Sequence, residues 1–94
     1  MRLQAEEIAT LKKSLAELSQ EARLYLFGSR VDDTKRGGDI DLLVVSQILK
    51  KKDLRKIRLD FFEKFGEQKI DIILDDGKFE DPFVQIIKKE AIEL

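Results

Sequence analysis

The sequence predicts a small α/β (α+β) sandwich, a mixed sheet of three or more strands covered by helices in the order α, β, turn, β, α, β, α, and three observations predict it. Short apolar runs of strand length occur at Arg23-Leu24-Tyr25-Leu26-Phe27, at Ile40 to Val45 and at Lys69 to Leu74, each bounded by glycine, acidic or polar turn residues. Stretches with apolar residues at three- and four-residue steps precede the first run, separate the second from the third, and follow the third. Their alternation is that of helices laid on a sheet. With 94 residues there is chain for one modest core, so residues 1–94 are read as a single domain.

Ile8, Leu11, Leu15 and Leu18 form one stripe on a helix from Leu3 to about Leu18. That stripe lasts barely two heptads, which favours packing inside the domain over a dimer zipper. Residues 23–27 then read as a strand covered on both faces, because their apolar run is continuous. Gly28 permits a tight turn, and Ser29 adds a hydroxyl beside the amides that open a helical turn, a combination that serves either as an anion cradle or as an ordinary helix cap. The polar loop 31–38 carries Lys35 and Arg36, which, like Arg30 before them, either reach phosphate oxygens or are solvated surface.

After the second strand, Leu54, Ile57, Phe61, Phe62 and Phe65 mark a helix that stops at Gly66. The basic residues Lys50, Lys51, Lys52, Arg55, Lys56 and Arg58 are read as its wet face rather than a binding patch. Asp75-Asp76-Gly77 is a turn signal after the third strand. Asp81-Pro82 starts a last helix, with Asp81 as cap, Pro82 at the first helical position, and Phe83, Ile86, Ile87 and Ala91 as its packing stripe.

Composition removes whole classes of chemistry. The chain has no cysteine and no histidine, which excludes the usual zinc sites, disulfides, thiolate nucleophiles and any Ser-His-Asp or Cys-His arrangement. Eighteen Lys and Arg against nineteen Asp and Glu leave a net charge of -1, so no global basic field draws the protein to nucleic acid or anionic lipid. No apolar run approaches the roughly 20 residues that span a bilayer, and the acidic, polar start is unlike a signal or transit peptide. A cytoplasmic location, with no membrane partner and no direct nucleic-acid partner, is the expectation.

What remains is carboxylate chemistry. Asp39 and Asp41 lie two apart at the start of an apolar strand and therefore project to one face, opposite Ile40, Leu42 and Val44. Asp71 interrupts the third strand between Ile70 and Ile72. Carboxylates crowded in a partly dry place either raise a pKa or recruit a cation, and the cation is the expectation here. If the two strands are neighbours and Asp71 faces the same way, three acids converge as hard oxygen ligands suited to magnesium, which takes the rest of its shell from water and substrate phosphates.

Gly28-Ser29, a loop, Asp39-x-Asp41 followed by apolar residues, and the later strand acid Asp71 together resemble the minimal nucleotidyltransferases of the DNA polymerase beta superfamily. The likeness covers nearly the whole chain and is greatest to the stand-alone antitoxin form encoded beside a HEPN-domain toxin. It implies that Gly28 and Ser29, with Arg30 and Gly38, bind the nucleotide, that Asp39 and Asp41 bind two magnesium ions, and that Asp71 completes one metal site and helps activate an acceptor hydroxyl. It further implies AMP transfer from ATP to a hydroxyl, a tyrosine, on a cognate HEPN-type toxin. A homo-oligomer, or a hetero-oligomer with the toxin, is compatible with that role.

Two departures from the family pattern stand out. Val31, Asp32 and Asp33 follow Arg30 where the family often has Ala-Arg-Gly, and the spacer to Asp39 is nine residues rather than ten. No role passes to Lys35 or Arg36 on that basis. The chain has no residues left for an acceptor-holding domain, so the acceptor is expected in trans. The rival expectation is a non-catalytic nucleotide-binding module that neutralises or regulates a partner by forming a complex.

Overall fold

The computed structural model describes residues 3–31 and 38–94, with the backbone alone at Ser29. Helix α1 spans Ala5–Leu18, strand β1 Arg23–Phe27, strand β2 Ile40–Val45, helix α2 Arg55–Phe65, strand β3 Ile70–Asp75, helix α3 Pro82–Glu90 and strand β4 Ile92–Glu93. Short 3-10 turns at Gly28–Val31 and Lys51–Leu54 follow β1 and precede α2. The strands form one mixed sheet in the order β3-β2-β1-β4, with β1 antiparallel to β2 and to β4, and β2 parallel to β3. This is the fold class that the sequence predicts, with one strand more than its three apolar runs supply.

Alternation along the strands divides the side chains between two cores. On one face Leu24, Leu26, Ile40, Leu42, Val44 and Ile70 pack against Leu11 and Leu15 of α1 and Ile57 and Phe61 of α2. On the other face Tyr25 and Leu43 pack against Val84 and Ile87 of α3. The central strand β2 is therefore apolar on both sides, as its continuous run requires. Asp39 and Asp41 fall on the α3 side by the same parity as Leu43.

Local chemistry fixes the helix ends. The backbone N–H of Gln4 donates to Glu7 Oε1 at 2.9 Å, closing the first turn of α1. Gly66 ends α2 at φ 86°, a left-handed conformation that favours glycine. Asp81 caps α3 by accepting from the Phe83 N–H at 2.8 Å, with Pro82 in the first position. Ser14 of α1 is buried and donates to Asp60 Oδ2 of α2 at 2.7 Å, while Lys56 reaches both Asp60 and Glu17, tying the two helices together. Among the described residues no helix is long and apolar enough to cross a membrane.

Three expectations change. The stripe on α3 is Val84 and Ile87 with half-buried Ala91 after it, whereas Phe83 is 54% and Ile86 70% exposed. Phe83 and Ile86 share their own three-residue spacing, so two adjacent apolar faces had merged into one periodic pattern. The helix predicted from Leu54 is preceded by a 3-10 turn, held where the Lys50 N–H donates to Asp53 Oδ2. In the basic run, Lys56 and Arg58 are not merely wet: Lys56 holds the α1–α2 ion pairs and Arg58 Nε donates to the Ile70 carbonyl at 3.0 Å.

Candidate functional site

Parallel pairing of β2 with β3 aligns Ile40 with Ile70 and Asp41 with Asp71. Residues in register on parallel strands point to the same face, so Asp41 and Asp71 stand side by side. Their carboxyl groups are close enough for the charge of Asp71 to push the Asp41 carboxyl upward. The helix α2 and its crossover make this pairing possible, because parallel neighbours need a long connection. One residue further back, the Ile40 N–H donates to the Lys69 carbonyl at 3.1 Å, which carries the same alignment to Asp39 and Lys69.

Across the other edge of β2, Phe27 is paired with Asp41, so the turn after β1 begins beside the acid. Gly28 has φ +79°, and a Cβ built on it would fall 2.2 Å from Asp41 Oδ2. A side chain there would push the Asp41 carboxyl aside, and the left-handed φ itself favours glycine. The Ser29 backbone continues the same turn, and its hydroxyl lies outside the described residues, as do Lys35 and Arg36. Gly38 meets no such crowding. Its carbonyl instead accepts from Arg30 Nη2 at 3.0 Å and from Gln68 Nε2 at 2.5 Å, so two side chains hold the residue that immediately precedes Asp39.

The Asp41 carboxyl is raised above its ordinary range. Burial is the main cause, followed by the charges of Asp71 and Asp39, while Lys69 acts in the opposite direction. Lys69 Nζ stands 3.6 Å from Asp39 Oδ2 and 4.0 Å from Asp71 Oδ2. Four side chains thus make two adjacent cross-strand pairs, Asp39 with Lys69 and Asp41 with Asp71. Sequence reasoning found the three acids and missed Lys69 and Gln68. Lys69 carried a readable signal, since it lies two residues before Asp71 on an extended segment, whereas Gln68 carried none.

Among the described residues, no three acidic side chains are arranged closely enough around one point to hold a metal ion. In kind, the donor set still fits a hard divalent cation, being carboxylate oxygens at the mouth of a strand pair. Asp39 and Asp71 are each about half exposed, so side-chain rotation is open to both. Asp41, held between Asp71 and the Gly28 turn, is the fixed member.

A protein-family model described as a nucleotidyltransferase domain matches residues 8–94. A search of curated proteins finds no match. The matched span takes in every strand, the Gly28 turn and all three acids.

Proposed function

The chain belongs to the nucleotidyltransferase domain family, and from that premise we propose that it transfers AMP from ATP to a hydroxyl on a partner protein, a HEPN-type toxin. The observation that carries this reading is Asp41 beside Asp71 under the Gly28 turn. Asp39, Asp41 and Asp71 are the residues that would hold magnesium, whose charge, when bound, lowers the pKa of the acceptor hydroxyl and offsets charge on the departing pyrophosphate.

In the transfer, the acceptor oxygen bonds to the α-phosphorus as the bond from that phosphorus to the bridging oxygen breaks. Pyrophosphate leaves with the electron pair of that bond, and the acceptor proton passes to a carboxylate oxygen of Asp71. Asp71 suits that step because it is half exposed and so within reach of a hydroxyl arriving from solvent. The Gly28 turn brings backbone up to the acids without a side chain between them, leaving its amides to meet phosphate. Arg30 and Gln68 keep Asp39 in place through the Gly38 carbonyl. Position and charge supply the catalysis, as befits phosphoryl chemistry and a chain without Cys or His.

The test is incubation of the chain with the toxin, labelled ATP and magnesium. A mass gain of one or more nucleotide units on the toxin, absent with Asp41→Asn, supports the reading. An Asp41→Asn protein working at full rate overturns it.

Neutralisation by complex formation is the second reading. It is favoured by exposed Phe83 and Ile86, which with Phe27 and Ile87 line an apolar cleft of about 380 Å³ beside Gly28. A variant with Asp39, Asp41 and Asp71 all changed to Asn that still silences the toxin in cells would establish binding as the mechanism.

A further inference from the structure

We propose that Lys69 is the resident counter-cation of the acid cluster, occupying the charge position that a divalent ion takes and competing with it. This rests on the reading of Asp39, Asp41 and Asp71 as the metal site and adds a residue that opposes occupancy. Nζ of Lys69 lies within 4.0 Å of two of the three acids, one just before β2 and the other on β3. Its charge also acts on the third, against the two neighbouring carboxylates. Carboxylates crowded this way repel each other unless a positive charge stands among them, and among the described residues Lys69 brings such a charge to two of them.

The placement follows from the fold. Lys69 precedes β3 by one residue, and its carbonyl is pinned by the Ile40 N–H at 3.1 Å, so the base of its side chain is fixed beside Asp39. The side chain itself is 67% exposed on a four-carbon stem, so the ammonium is free to leave. An ion entering between Asp39 and Asp71 must displace the ammonium from both carboxylates, and the ammonium then repels that ion. Metal-free stability and metal affinity are therefore set against each other by one side chain.

The experiment is titration of Mn²⁺ alone, without nucleotide, into the full chain and its Lys69→Met, Lys69→Arg and Asp41→Asn variants, following free Mn²⁺ by electron paramagnetic resonance. Thermal melting in chelator is recorded alongside. Lys69→Met is expected to bind Mn²⁺ about three- to tenfold more tightly than the native chain at low salt, the range an exposed ion pair with several acids commands. The gap should narrow as salt rises. Lys69→Arg, which keeps the charge, should stay within about twofold of native. Lys69→Met should melt below the native chain in chelator and gain more on adding Mn²⁺.

Native-like or weaker Mn²⁺ binding by Lys69→Met overturns the proposal while leaving the metal site intact, provided Asp41→Asn has lost binding. If Asp41→Asn binds as well as native, or no variant binds at all, the metal reading itself falls and the role of Lys69 with it.

Discussion

Gly28 lies so close to Asp41 that a Cβ on it would sit 2.2 Å from the Asp41 Oδ2 atom, with the glycine already in a left-handed conformation. Gly28→Ala therefore meets two penalties at once: an unfavourable φ of about 1–2 kcal/mol and displacement of the acid. The expected result is a melting temperature lower by about 4 °C or more and transfer reduced by about 10²-fold, the scale of a misplaced catalytic group. Melting and transfer assays on the variant check both, and an active, native-like Gly28→Ala would contradict the packing.

Asp41→Asn is expected to separate stability from activity. The Asp41 carboxyl is raised in the folded chain by burial, then by Asp71 and Asp39. A carboxyl raised on folding binds its proton more tightly in the native state, so its ionisation lowers stability as pH climbs from the unfolded value through the folded one. Above that window the metal-free variant should melt a few degrees higher than native, with the difference vanishing at acid pH. Added magnesium should raise the native melting temperature and leave that of the variant unmoved, while transfer is lost.

Gln68→Ala tests whether the Gly38 carbonyl needs both of its donors. The hydrogen bonds from Gln68 and Arg30 to Gly38 are exposed, so stability should hardly change. Asp39 should lose part of its positioning, giving kcat about tenfold lower, the equivalent of one net hydrogen bond. A purely structural contribution would instead move the melting temperature and leave kcat alone.

Ser14→Ala probes the clamp between α1 and α2. Asp60 is held below the usual carboxylate range by the hydrogen bond from Lys56 first and from buried Ser14 second. A carboxyl lowered on folding contributes stability that is complete above its unfolded value, about 4, and is lost as pH falls through the folded value. Ser14→Ala should cost about 1 kcal/mol at neutral pH, and denaturant titrations across the acid range should show that difference shrinking. Its pH trend is opposite to that of Asp41.

Much of the architecture was written in residue spacing. The three acids were legible because Asp39, Asp41 and Asp71 interrupt apolar strands, where carboxylates are costly without a purpose. Helices α1 and α2 were legible from stripes running to Leu18 and to Phe65, of which Leu15 and Phe61 are buried. Strand β4 was not, because two residues carry no period; it exists through its pairing with Tyr25 and Leu26 and the bond from the Leu94 N–H to the Leu24 carbonyl. The outward turn of Phe83 and Ile86 was hidden for the opposite reason, too many apolar residues on one short helix. Gln68 escaped notice because its partner, Gly38, lies 30 residues away across a pairing that only the sheet creates, whereas Lys69, beside Asp39 across the same pairing, could have been found from its two-residue spacing to Asp71.

The alignment of β2 with β3 has a consequence for how such a protein can fail. Side chains alternate along a strand, so sliding β3 by a single position would carry Asp71 through to the side occupied by α1 and α2. Arg58, reaching from α2 to the Ile70 carbonyl, helps to fix that start. Misalignment has no half-measure here: the two acids meet, or one of them is sent into the oily layer and the strand pair is rejected.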